Sequence, residues 1–318
     1  MIGNEIYNFA RELWPLNRSL TGEGVRETLK KINNHLPNLN IHSIPSGTQV
    51  FDWTIPKEWV VHSAYIISPS GKKICDFSKN NLHLVGYSVP YTGNLKLSDL
   101  KKKLYSLPEQ PNAIPYVTSY YEKRWGFCIS HNDFESLEDG EYNIKIDTEL
   151  INGELNYGEL ILPGKSKKEI FLSTYICHPS MANNELSGPS VVTYLSKWLM
   201  ELEKTNFTYR IIFIPETIGS IAYLSRNLEE MKKNIIAGFN VSCVGDNRTY
   251  SYIPSRKGET LSDEIAKHVL KWIDESFSSY TWFDRGSDER QYCAPGIDLP
   301  IASILRTKYG EYPEYHTS

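Results

Sequence analysis

The chain of 318 residues is 40% hydrophobic and 23% charged, which suits about two domains at ~150 residues each and excludes wholesale disorder. Its 34 basic and 38 acidic residues leave a formal charge of −4, and no stretch carries the clustered Lys/Arg footprint of a nucleic-acid binder. No run approaches the ~20 apolar residues that span a bilayer, and the start MIGNEIYNFARELW is acidic and amphipathic rather than a signal core, so a cytoplasmic chain without a membrane partner is expected. Five widely spaced cysteines (Cys75, Cys128, Cys177, Cys243, Cys293) form no CxxC pair. They are read as reduced, buried thiols rather than a disulfide framework or a Cys-rich zinc site.

In chain order, Ile6, Phe9, Ala10, Leu13 and Trp14 recur at helical spacing and Pro15 stops the helix. Thr21 is the expected cap of a second helix, with Glu23 in its first turn and Val25, Leu29, Ile32 and Leu36 on its buried face. From about Ile41 to Leu150 short β-like runs follow: Trp59 to Ile67, a Pro69-Ser70-Gly71 turn, Lys73 to Phe77, Pro115 to Tyr121 and Trp125 to Ser130. This predicts a small, mostly β insertion over 41–150. Its aromatics, including Trp53, Trp59, Tyr120, Tyr121 and Trp125, are assigned to a core rather than a groove.

From Glu154 strands and helices alternate. Apolar runs at Ile170 to Cys177, Arg210 to Ile214, Ile235 to Val244 and Pro300 to Leu305 are separated by helical stripes at Val191/Leu195/Leu199, Ile221/Leu224/Leu228 and Leu261/Ile265/Val269/Trp272. The pattern predicts a three-layer α/β sandwich, with a mostly parallel or mixed sheet, from residues 1–40 and 151–318.

Such sheets place ligands beyond the carboxyl ends of their strands. Reading those ends gives His178, Glu216, Asp246 and His316, with Asn183, Asn184 and Glu185 in the loop HPSMANNELSG. Two histidines and a carboxylate suit Zn²⁺, whose open position activates water. On spacing alone they read as unrelated polar loop residues, because nothing like HExxH fixes two ligands on one helix.

Four segments resemble, in order, the co-catalytic zinc aminopeptidases and glutamate-carboxypeptidase-like exopeptidases. They are His178 followed by ANNELSG, then PETIGS, NVSCVG, and finally GSDERQYCAPGIDLP with YPEYHTS. The whole chain, with WPLNRSLTGEG at its front and a β insertion before the metal loop, is similar to bacterial aminopeptidase-like proteins carrying an inserted domain of unknown function. Members of that group often extend into a C-terminal winged-helix region, and some accompany surface-polysaccharide genes. The resemblance implies that His178 and His316 are metal ligands, that Asn184 stands where a bridging carboxylate belongs, and that Ser242 replaces a further aspartate, for which Asp246 can substitute. Glu216 aligns as general base, with Thr217 replacing a ligand; a gapped alignment instead makes Glu216 the ligand. Two ions need anionic ligands between them. Asn184, Thr217 and Ser242 therefore point to one Zn²⁺ rather than two. The resemblance also puts Asp288, Glu289, Arg290 and Tyr292 at the pocket rim, where they are expected to bind substrate, against the alternative of a surface salt-bridge cluster.

The expected function is a metal-dependent aminopeptidase-like hydrolase, with a peptide or amide-containing small molecule as substrate. The alternatives are a catalytically degenerate exopeptidase fold that binds a peptide or amino sugar, and an amidohydrolase of surface-polysaccharide metabolism. Arg18, Ser19 and Thr21 are expected only to cap and anchor the second helix. Because the chain stops two residues after His316, where the family's chain continues into a helix, a truncated copy or cropped domain is expected.

Overall fold

A computed structural model describes residues 1–120 and 122–318; Tyr121 lies outside the described residues. Helix α1 (Ile2–Leu13) buries Phe9 and Leu13 and ends ahead of Pro15. Helix α2 (Glu23–His35) buries Val25, Leu29 and Ile32. Its N-cap is Gly22, at φ 109°, which supplies no side chain. Thr21, expected as the cap, donates its hydroxyl to the Lys57 carbonyl at 3.2 Å, because the chain reverses at Gly22 and leaves Thr21 facing the insertion.

The strands of the two larger sheets are β1 (Asn40–Pro45), β2 (Glu58–Ile67), β3 (Lys73–Ile74), β4 (Tyr91–Lys96), β5 (Glu141–Ile151), β6 (Glu154–Leu162), β7 (Ser166–Tyr175), β8 (Phe207–Ile214), β9 (Ile235–Asn240), β10 (Ser251–Ile253), β11 (Ser278–Ser279) and β12 (Ile301–Leu305). An eight-stranded mixed sheet runs β1-β6-β8-β7-β9-β12-β10-β11. Its centre, β8-β7-β9-β12, is parallel, as buried runs joined by crossover helices require. The expected start of the insertion at Ile41 falls inside β1, which pairs antiparallel with β6 in this sheet. The separate four-stranded sheet is β3-β2-β5-β4. Of the runs expected to be strands, Pro115 to Tyr121 contributes, among its described residues, only isolated bridges, Pro115 with Thr317 and Thr118 with Gly86.

Alternation along β8 explains the layers. Ile211 and Phe213 face a core formed with α1, α2 and helix α3 (Ser187–Glu201), whereas Ile212 and Ile214 face a core formed with helix α4 (Ile218–Asn234). Helix α5 (Leu261–Ile273) packs Ala266 and Leu270 on Ala302 and Tyr252. The insertion has its own core around Trp59, Ile66, Phe127 and Ile144, so Trp59 packs as expected. Both faces of the central strands are thus covered, and the polar loops at their carboxyl ends are left to build a site.

Candidate active site

The parallel neighbours β7 and β8 finish in register, Tyr175 opposite Ile214. Each then runs on to a polar residue, His178 and Glu216, whose Nε2 and Oε2 stand 3.6 Å apart. They line a pocket of about 260 Å³ with Asn184, His316, Ser287, Gly286 and a set of phenols, Tyr116, Tyr120, Tyr175, Tyr309 and Tyr315.

His178 is 4% exposed. Its Nδ1 lies 2.9 Å from Glu185 Oε2 and 3.6 Å from Cys177 Sγ. Burial opposes charge on the ring, but the Cys177 sulfur and the Glu185 carboxylate outweigh it and raise the pKa above the ordinary histidine value. His316 behaves oppositely: burial, with the positive His178 ring 6.1 Å away, pulls it down to about 4. It is stacked on Tyr315 and sits at φ 57°, in the left-handed region. Its carbonyl accepts the Tyr116 N–H at 2.7 Å, and Ser318 N–H donates to Ile114 at 2.9 Å. The insertion thereby holds the segment bearing His316, and the Tyr116 ring stands edge-on to both histidines.

Glu216 Oε1 accepts the Ser287 hydroxyl at 2.5 Å, and its backbone N–H donates to Cys177 Sγ at 3.1 Å. Burial pushes its carboxyl up, against the pull of His178 and of Ser287. Thr217, next in the chain, has φ 63° and ψ −75°, an outlying conformation for a β-branched residue. Its N–H is taken by Asp288 Oδ1 at 2.7 Å.

The loop expected at the rim is largely a buried anchor. Asp288 also receives Ser220 Oγ at 2.9 Å. Glu289 accepts from Gly286 N–H, Ser287 N–H, Tyr309 and Asn240. Tyr292 reaches Ser173 at 2.8 Å and packs on Phe171. Only Arg290 is exposed, and none of the four lines the pocket. The carboxylates turn inward because backbone N–H groups and hydroxyls there need acceptors. The loop's pocket-lining residues are instead Gly286 and Ser287. Asp246 is likewise not among the pocket's residues. It accepts from Thr307 N–H and Oγ1, Asn183 and Arg248, bonds that outweigh burial and hold it below the usual carboxylate range.

The pocket's donors fit a zinc ion in kind: two imidazoles, the Glu216 carboxylate and Asn184 line it, and Asn184 Oδ1 is buried without a partner while its Nδ2 donates to Tyr175 at 3.0 Å. Among the described residues no three His, Cys, Asp or Glu side chains close into a metal-binding group. All five cysteines are free and buried, as expected.

Sequence reasoning missed the phenolic wall and the support of His178. Tyr116, Tyr175 and Tyr309 lie outside the matched segments, Tyr315 lies within YPEYHTS without a role assigned to it, and Glu185 stands one position from the aligned Asn184. Arg18 does not cap α2: it reaches the Leu13 carbonyl at 2.7 Å, the His178 carbonyl at 2.9 Å and Glu185 Oε1 at 3.1 Å.

This mixed sheet, with its site at the strand ends, is the zinc-aminopeptidase fold. A zinc aminopeptidase from Bacillus subtilis superposes with a TM-score of 0.67 at 14% identity, covering 99% of this chain and 87% of that one. The peptidase M28 precursor of Shewanella amazonensis superposes at 0.66 and 13%, covering 98% and 86%. A crystal structure from Clostridium acetobutylicum, titled as a "putative peptidase", matches at TM-score 0.95 and 46% identity over 99% of this chain and 74% of that one. A protein of the same organism named "Putative polysaccharide biosynthesis protein with aminopeptidase-like domain" is 46% identical over 316 residues, 99% of this chain and 72% of that protein. Residues 7–318 match the family described as "Domain of unknown function (DUF4910)", and the chain belongs to that family.

Proposed function

We propose that the pocket hydrolyses a terminal amide bond of a peptide or of a small amide-bearing molecule. The observation that carries this reading is the pairing of His178 Nε2 with Glu216 Oε2, 3.6 Å apart at adjoining strand ends inside one pocket. At about 260 Å³ the space lies below the ~300–1,000 Å³ of pockets for drug-sized ligands. It admits one residue-sized end of a substrate, which favours exo-action.

Glu216 is the general base. Ser287 occupies its Oε1, so Oε2 is the oxygen turned to a water, and burial, by raising its pKa above the ordinary carboxylate value, makes it the stronger proton acceptor. The proton it takes is then available to the departing amine. His178 and His316, with Asn184 Oδ1, are the residues that would hold a zinc ion, which supplies Lewis acidity and a water of lowered pKa when bound. The free buried thiols suit a cytoplasmic setting. No helix among the described residues is long and apolar enough to cross a membrane.

The test is metal analysis of protein purified without added metal, combined with an assay on aminoacyl-arylamides. Chelator-sensitive turnover is expected, falling by ~10²–10⁴ in Glu216→Gln. Absence of both metal and turnover overturns the hydrolase reading.

A second reading, a degenerate fold that binds a peptide or amino sugar, is favoured by the neutral Asn184, Thr217 and Ser242. Under it, restoring carboxylates by Asn184→Asp and Ser242→Asp brings back neither metal nor activity. The Clostridium relative's name as a polysaccharide biosynthesis protein adds amide-bearing sugars to the substrates worth screening.

A further inference from the structure

The segment between α1 and α2 contributes an arginine to the heart of the molecule. Arg18 is 2% exposed and Glu185 0%, although 167 positions separate them in sequence. Gly24, in the first turn of α2, makes the arrangement possible, since a Cβ there would stand 2.0 Å from the Asn17 carbonyl oxygen. That contact presses α2 against the peptide leading into Arg18. The guanidinium then grips the end of α1 through the Leu13 carbonyl, the backbone of His178, and Glu185.

We propose that Arg18, acting through Glu185, decides which ring nitrogen of His178 serves the pocket: Nδ1 keeps its hydrogen against Glu185, and Nε2 is the working atom. Donor and acceptor roles around the ring are fixed by chemistry. A guanidinium donates only and an ionised carboxylate accepts only. The one hydrogen on Arg18 Nε is shared between the His178 carbonyl at 2.9 Å and Glu185 Oε1 at 3.1 Å, so Oε2, 2.9 Å from His178 Nδ1, is left to accept from that nitrogen. The ring is thereby turned with Nε2 toward Glu216. Arg18 and Glu185 are positioning residues. Their catalytic consequence rests on the hydrolase reading above, but the orientation itself does not.

The test reads ring ¹⁵N shifts of His178 in the full chain, with and without added Zn²⁺, at a pH where the ring is neutral. Wild type is expected to show a protonated Nδ1 in both conditions. In Glu185→Gln the amide oxygen stays on Arg18, so the amide NH₂ meets Nδ1 and the hydrogen moves to Nε2. Turnover should drop ~10–100-fold, as for other partners that orient a working histidine. Adding Arg18→Met frees the glutamine to rotate, and the protonated shift should return to Nδ1. A structural role alone would not produce this reversal and rescue. If the double variant does not fold, wild type and Glu185→Gln decide the matter. A wild-type ring with hydrogen on Nε2, or a Glu185→Gln ring that keeps it on Nδ1, overturns the proposal. Absence of turnover in the wild type, with the expected spectra, overturns only the hydrolase reading.

Discussion

Thr217 and Asp288 form a buried elbow beneath Glu216. Asp288 Oδ1 holds Thr217 N–H and the Ser220 hydroxyl, while Oδ2 is buried without a partner. Burial and the nearby Glu216 carboxylate raise the Asp288 pKa well above its ordinary value. A carboxyl whose folded pKa lies above its unfolded one stabilises the fold when protonated, below the ordinary ~3.9, and that contribution is lost as pH rises through the folded value. Asp288→Asn keeps the Oδ1 acceptor and removes the charge. It should be at least as stable as wild type at pH 8, with a flatter dependence of urea stability on pH. Asp288→Ala, which strips the acceptor, should cost ~1–3 kcal/mol. An Asn variant weaker than wild type at pH 8 contradicts this assignment.

His316 titrates with the opposite sign. Its folded pKa of about 4 lies below the ordinary 6.5, so the stability it confers is complete above pH ~6.5 and is lost as pH falls toward that lower value. The difference in unfolding free energy between wild type and His316→Asn should therefore shrink between pH 7 and 4.5. A constant difference would show that the imidazole is not neutral in the fold.

Among the elements, the loops beyond the parallel strands behave as one tied assembly. Asp246 joins three of them, through Asn183 after β7, Arg248 after β9 and Thr307 after β12. Asp246→Ala should cost ~1–3 kcal/mol in denaturant titration, without removing a residue that lines the pocket. Gly24→Ala forces α2 away from Asn17 and should destabilise by ~1–3 kcal/mol or more.

The same elements show what could be read from the chain. Strand β7, helix α3 and strand β8 were legible because their apolar spacing is unbroken, and the strand-end rule led directly to His178 and Glu216. Asp246 satisfied the same rule and failed for a reason invisible in sequence, since Thr307, 61 positions away, takes its carboxylate. The acidic text SDERQY looked solvent-facing because sequence does not reveal how many backbone donors await it. Glu185 and Arg18 were obscured because their pairing depends on how α1, α2 and the loop after β7 meet.

Across the whole molecule, the insertion is locked to the α/β domain at several points. Arg26 on α2 binds both oxygens of Glu58 on β2, at 2.6 and 3.1 Å. Asn81 accepts Ser180 N–H at 3.1 Å, and Tyr87 accepts Leu20 N–H at 3.3 Å. Scanning calorimetry should therefore give one transition, with calorimetric and van't Hoff enthalpies in agreement. Two resolved peaks would mean that the two cores unfold independently.

The short backbone ladder between Ile114–Tyr116 and His316–Ser318 makes these two stretches one mechanical unit. A change that loosens either edge frees both, so the residues carrying His316 keep their place only while the facing edge keeps its own. Changes at Tyr116 and His316 should therefore show non-additive effects.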